Sequence, residues 1–152
     1  MRRLIIYTFI VSFLFCLIQA SEAAEPKLLW SKEIRHNLFE LALDGTFYIS
    51  DGRKVACYSS DGDLKWSHTL TNPVKDMGIY QDGSVAVASG KSLTRISKDG
   101  KVQWTSGAKD EIVAIEVLTS GLTIVGHAYG VQAFDPAGKL SWDHYPHEEC
   151  DY

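Results

Sequence analysis

Beyond its first two dozen residues, this 152-residue chain has no long apolar run, no concentrated block of either charge and no window of helical periodicity. Each absence excludes something. Without about 20 consecutive apolar residues, the body of the chain carries no membrane-spanning helix. Without a basic face, and with a net charge of −4, it has little to neutralise phosphates, which argues against a nucleic-acid partner. Cysteine is scarce at three residues, Cys16, Cys57 and Cys150. They form neither an adjacent pair nor a Cys-x-x-Cys-His haem motif. No serine sits in a Gly-x-Ser-x-Gly elbow, and no dense Asp-x-Asp-x-Asp run suggests a Ca²⁺ loop. What is present, 45% hydrophobic and 11% aromatic residues in short runs, excludes disorder.

Residues 1–23 read as a secretory signal peptide. Arg2 and Arg3 supply the positive start, Leu4 to Ile18 the apolar stretch, and Ala20, Ser21, Ala23 and Ala24 the small residues of a cleavage region. Cleavage is expected after Ala20 or after Ala23, with an uncleaved anchor as the alternative. Phe13-Leu14-Phe15 precede Cys16 where a lipidation site needs small residues, so lipidation is rejected. The expectation is a periplasmic or secreted protein with no membrane span after cleavage.

The mature part is a repeat. Trp30, Trp66, Trp104 and Trp142 are spaced 36, 38 and 38 residues apart, and their surroundings recur with them. Gly62, Gly100 and Gly138 stand four residues before the last three tryptophans, and Gly45, Gly83 and Gly121 stand 21 before. Aliphatic or aromatic residues recur at fixed offsets between them. A period of this size decides the architecture before any other signal.

Within the middle copy, Val74 to Tyr80, Val85 to Ser89, Leu93 to Ser97 and Lys101 to Ser106 are four short strand-like runs. Asp82-Gly83, Gly90 and Asp99-Gly100 break them as hairpin turns. The other copies follow the same plan. The innermost runs are apolar on both faces (Phe39, Leu41 and Leu43 against Leu38 and Ala42; Val113, Ile115 and Val117 against Ile112 and Ala114). That predicts sheets stacked on neighbouring sheets. The fold expected is all-β: three four-stranded antiparallel propeller blades at about 37–70, 74–106 and 111–145. One extra outer strand is expected over 26–34, and a polar tail over 146–152. Propellers close with roughly four to eight blades, so this is an incomplete propeller. A fragment of a longer protein, association to close a ring, and a stable open array all stay open.

The endings Asp61-Gly62-Asp63-Leu64-Lys65-Trp66 and Asp99-Gly100-Lys101-Val102-Gln103-Trp104, with Gly138-Lys139-Leu140-Ser141-Trp142 in the third copy, resemble the repeat of PQQ-like propellers. This is the superfamily of quinoprotein alcohol dehydrogenases, and it includes a propeller of the outer-membrane assembly machinery. The resemblance implies that Trp30, Trp66, Trp104 and Trp142 are structural, packing between blades. None of the family's PQQ or Ca²⁺ ligands can be placed on this sequence residue by residue, so no cofactor is expected.

Other candidate chemistry is thin. The tail Asp143-His144-Tyr145-Pro146-His147-Glu148-Glu149-Cys150 is dense in metal-ligand types, yet a solvated tail accounts for it equally, and no metal site is assigned. His36, His68 and His127 fall at different repeat offsets. Cys57 and Cys150 survive cleavage and could pair in an oxidising compartment. The repeat register, however, puts one in a third strand and the other beyond the last copy, so an intermolecular bond and two inert thiols stay open. The expected function is an exported, non-catalytic scaffold that binds protein and can self-associate to close a ring. A fragment of a PQQ-dependent dehydrogenase and a small-ligand or carbohydrate-binding propeller are the alternatives.

Overall fold

A computed structural model describes Leu28 and residues 30–146. The chain divides into two units, Met1–Ser31 and Lys32–Tyr152. In the first, Leu28, Trp30 and Ser31 are the described residues, and all three are exposed. The expected signal peptide over 1–23 lies outside the described residues, as do His147 to Tyr152.

The second unit holds twelve strands: β1 (Leu38–Leu41), β2 (Phe47–Asp51), β3 (Lys54–Tyr58), β4 (Leu64–Thr69), β5 (Val74–Ile79), β6 (Val85–Ser89), β7 (Ser92–Ile96), β8 (Val102–Gly107), β9 (Ile112–Val117), β10 (Thr123–His127), β11 (Val131–Phe134) and β12 (Leu140–His144). They form three antiparallel meanders, β1 to β4, β5 to β8 and β9 to β12. Each sheet is one copy of the repeat.

Turn chemistry sets these boundaries. In the first hairpin the Gly45 N–H donates to Ala42 O and the Ala42 N–H to Thr46 O, a tight turn completed by a left-handed residue. Gly45 supplies it at φ 81°, where a side chain would be strained. Asp44 accepts the Thr46 N–H at 2.9 Å, and Asp82 does the same for Ser84 at 2.9 Å. The turns between third and fourth strands use another acceptor. There Ser59, Ser97 and Asp135 take the N–H four residues on, at 3.2, 3.1 and 2.9 Å.

Two cores hold the sheets face to face. The first joins Tyr48, Val55 and Cys57 of one sheet to Met77, Val85, Val87 and Ile96 of the next. The second joins Ala86, Ala88 and Leu93 to Ile112, Ile115, Val125 and Phe134. Strand β6 serves both. Val85 and Val87 face one neighbour, Ala86 and Ala88 the other, and all four are fully buried. Burying a valine side chain contributes about 1.5 kcal/mol or more, and small alanines let the third sheet approach on the far side.

One expectation needs correction. Burial on both faces belongs to the second strands, not to the innermost ones: Leu41 and Val113 are each 62% exposed and Leu43 is 102% exposed. The innermost strands of the end sheets have a neighbour on one side only. The described residues of the expected outer strand over 26–34 carry no ladder. Within the second unit, the lead-in to β1 lies on the first sheet. Ile34 packs against Phe47, Ile49 and Ala56, and Lys32 Nζ reaches Gly62 O at 3.1 Å.

Candidate interaction surface

Each outer strand is kinked by one extra residue just before its tryptophan. Tyr58 pairs with Leu64 and Cys57 with Trp66, so Lys65 is left over. The same shift recurs at Arg95/Ile96 and at Ala133/Phe134. The bulge re-aims the strand: Leu64 faces away at 53% exposure, while Trp66 packs with Cys57 in the first core. The Trp66 indole N–H then donates to Lys98 O of the next blade at 2.9 Å. Trp104 donates to Pro136 O at 3.0 Å.

The ring of each tryptophan lies on the glycine of that neighbouring turn. A Cβ on Gly100 would stand 2.7 Å from Trp66, and one on Gly138 would stand 2.6 Å from Trp104. Two residues past each tryptophan, a second bond forms: His68 donates to Gly100 O and Ser106 to Gly138 O. Trp and the residue after next make a two-point clamp on the following blade. The clamp was readable in part, because positions 32, 68, 106 and 144 are Lys, His, Ser and His, all hydrogen-bond donors.

Arg95 ties the second blade to the third and had no sequence signal, since the equivalent residues are Cys57 and Ala133. Its guanidinium lies 3.9 Å from the Tyr80 ring centre. It donates to Asp82 at 2.8 Å, to Ser84 Oγ at 2.9 Å and to Pro136 O at 3.0 Å. Partial burial pushes the Asp82 carboxyl up, but the Ser84 bonds and the Arg95 charge outweigh it and hold it below the usual range. Tyr80 OH meets Thr123 Oγ1 of the third blade at 2.5 Å, and the Tyr48 hydroxyl donates to Gly83 O.

The remaining candidates do not converge. Cys57 is a buried free thiol, raised by burial and so poorly nucleophilic. Cys150 lies outside the described residues. His36 bonds Ile34 O at 3.0 Å and His127 bonds Gln132 Oε1 at 2.9 Å, at separate places. Among the described residues no three His, Cys, Asp or Glu side chains stand close enough to hold a metal. Glu40, on the innermost strand of the first sheet, has its carboxyl raised by burial and then by the charges of Asp76 and Glu116 on the other two innermost strands.

What the surface offers is apolar. Phe39, Leu41 and Leu43 are 52%, 62% and 102% exposed. Leu41 and Leu43 line an open cleft of about 290 Å³ with Ile79, Tyr80 and the turn residues Asp44 and Asp82. A second cleft of about 350 Å³ lies beside His127, Tyr129 and His144.

Against this geometry, a family model described as PQQ_2, outer membrane protein assembly factor BamB, matches residues 17–146. The chain belongs to this family. No protein of curated function matches it in sequence. Among solved structures, BamB from Moraxella catarrhalis superposes with a TM-score of 0.61 at 12% identity, over 73% of this chain and 38% of that one. The Kuenenia stuttgartiensis hydrazine synthase gives 0.65 at 12% identity, over 78% and 39%. The Neurospora crassa Pan2 WD40 domain gives 0.58 at 17% identity, over 72% and 36%. The BamB-like chain thus spans a little over a third of the length of each. At such identities the likeness shows the propeller fold alone. No helix among the described residues is long and apolar enough to cross a membrane.

Proposed function

We propose that this BamB-like chain is an exported, non-catalytic propeller module that binds another protein of the cell envelope. The observation that carries this reading is the apolar edge formed by Phe39, Leu41 and Leu43, 52–102% exposed, beside the largely buried strand β2. Soluble proteins seldom expose such a patch unless something docks on it. The acidic rim of Asp44 and Asp82 at the adjoining cleft suits a partner with basic residues flanking an apolar segment. Family membership and the apolar stretch that ends in small residues support export.

The test is in the cell. The chain is produced from its own N-terminus in a Gram-negative host, with a photo-crosslinking residue at Leu43 or, as control, at Lys139 on the third blade. The reading expects a periplasmic product beginning at Ser21 or Ala24 and one discrete adduct at Leu43 that is absent at Lys139. A cytoplasmic, full-length product, or equal labelling at both positions, would sink it.

A further inference from the structure

The first turn of each blade fills one set of repeat positions, so its three copies can be compared residue by residue. They read Leu41-Ala42-Leu43-Asp44-Gly45, Ile79-Tyr80-Gln81-Asp82-Gly83 and Val117-Leu118-Thr119-Ser120-Gly121. The hairpin itself asks only for the glycine and a small polar residue before it. Gln81 and Thr119 show that the position before those two serves well when polar. The first blade instead puts Leu43 there, at 102% exposure. Ala42 stands where the second blade has Tyr80, and Cys57 stands where it has Arg95.

The second blade shows what an acid on this turn binds. Asp82 takes the Arg95 guanidinium at 2.8 Å, Ser84 Oγ accepts from it at 2.9 Å, and the Tyr80 ring centre lies 3.9 Å away. The third blade has neither member of the pair, with Ser120 and Ala133 in the two places. The first blade keeps the acid without the arginine. Asp44 accepts the Thr46 N–H at 2.9 Å, and the hydrogen bonds with Thr46 hold its carboxyl below the ordinary value, hence charged at neutral pH. Among the described residues no cation forms an ion pair with it, and Lys65 acts on it only as a more distant charge.

Asp44 borders the cleft of about 290 Å³ that Leu41, Ala42, Leu43, Ile79 and Tyr80 line. Both walls of this cleft belong to the present chain, one to the first blade and one to the second. Small-molecule pockets run to roughly 300–1,000 Å³, so this cleft has room for one long side chain and not for a folded element. An apolar lining with a carboxylate at the mouth suits a side chain with an apolar stem and a cationic tip. Arginine fits better than lysine, because its planar fork bonds two acceptors at once and sheds water more readily than an ammonium.

We infer that the cleft between the first and second blades is an anchor site for one arginine of a protein partner, with its guanidinium on Asp44 and its stem along Leu41, Leu43 and Ile79. The partner supplies in trans the group that Arg95 supplies within the second blade. The inference deepens the binding-module reading and rests on it, naming the side chain that the partner inserts.

The probe is the peptide acetyl-Leu-Leu-Arg-amide, titrated into the full chain while backbone amide resonances are followed by NMR. The amides of Leu43, Gly45 and Gly83 should shift saturably, and binding should weaken as salt is added. Citrulline in place of the arginine keeps the shape, loses the charge and should abolish binding, and lysine should weaken it. Asp44→Asn retains an oxygen for the Thr46 N–H, so the turn survives, but affinity should fall about five- to tenfold with the loss of a forked ion pair. Leu43→Gln, which installs the second blade's residue, should weaken binding about two- to fivefold through lost apolar contact. Both variants should keep the cooperative melt of the parent chain, which separates lost binding from lost folding.

A peptide in millimolar excess that moves none of these amides would overturn the inference. So would citrulline or lysine binding as tightly as arginine, or an Asp44→Asn chain with undiminished affinity. The envelope-partner reading fails separately. If the crosslink at Leu43 persists in an Asp44→Asn chain, the surface stands and the arginine anchor falls. If the peptide binds as expected and no adduct forms in the cell, the anchor stands and the envelope partner falls.

Discussion

Repetition makes single residues informative, because each has two internal controls. Ser50 is fully buried and its Oγ finds no hydrogen-bond partner, while the same repeat position holds Ala88 and Gly126. An unpaired buried hydroxyl costs about 1–3 kcal/mol. Ser50→Ala should therefore stabilise the protein by about 1 kcal/mol in urea denaturation, and a loss of stability would show that the hydroxyl is satisfied. Glycine positions divide in the same way. At Gly100, φ is +82° and a Cβ would meet Trp66 at 2.7 Å, whereas at Gly52 φ is +60° and nothing lies within 4 Å. A left-handed residue costs about 1–2 kcal/mol, and overpacking adds about 1–3 kcal/mol. Gly100→Val should cost about 3 kcal/mol and Gly52→Ala about 1 kcal/mol. Equal losses would mean that the tryptophan yields freely.

At the level of strands and sheets, the repeat made most of the fold legible. The glycine offsets gave the turns and residues 85–89 read as a strand, but burial on both faces was assigned to the innermost strands and belongs to the second ones. Two things were hidden. The bulge at Lys65, Gln103 and Ser141 is a backbone event with no residue type of its own, so the direction of the tryptophans could not be read from spacing. Arg95 looked like one more polar residue in a strand, because only the folded arrangement brings Asp82, Ser84, Tyr80 and Pro136 around it. Arg95 also makes a prediction at this scale. Its side chain is only 12% exposed, and removing it strips a hydrogen-bonded link between blades. Arg95→Met should cost about 2 kcal/mol and steepen hydrogen exchange in β9 to β12 more than in β1 to β4. Uniform exchange would show that the blades unfold as one unit regardless of this link.

For the molecule as a whole, three stacked blades place the innermost strands side by side, and with them Glu40, Asp76 and Glu116. Burial and then the two neighbouring carboxylates raise the Glu40 pKa above its ordinary 4.5. The folded state therefore keeps this proton at pH values where the unfolded chain has released it. Stability from Glu40 is full below pH 4.5 and is lost as pH rises through the raised folded value. Asp44 and Asp82 act in the opposite sense. Hydrogen bonds with Thr46 lower Asp44 below 3.8, and the Ser84 bonds and Arg95 lower Asp82 against the pull of burial. Their contribution is present above pH 3.8 and is lost as pH falls through their folded values. The two opposed slopes put the greatest stability between them, on the acid side of neutrality. Tm should accordingly be higher near pH 4.5 than at pH 7. Glu40→Gln should raise Tm at pH 7 while leaving it nearly unchanged at pH 4, narrowing the difference. If Glu40→Gln lowers Tm at both values, the innermost carboxylates are held by contacts that outweigh their repulsion, and the axis is better packed than its charges imply.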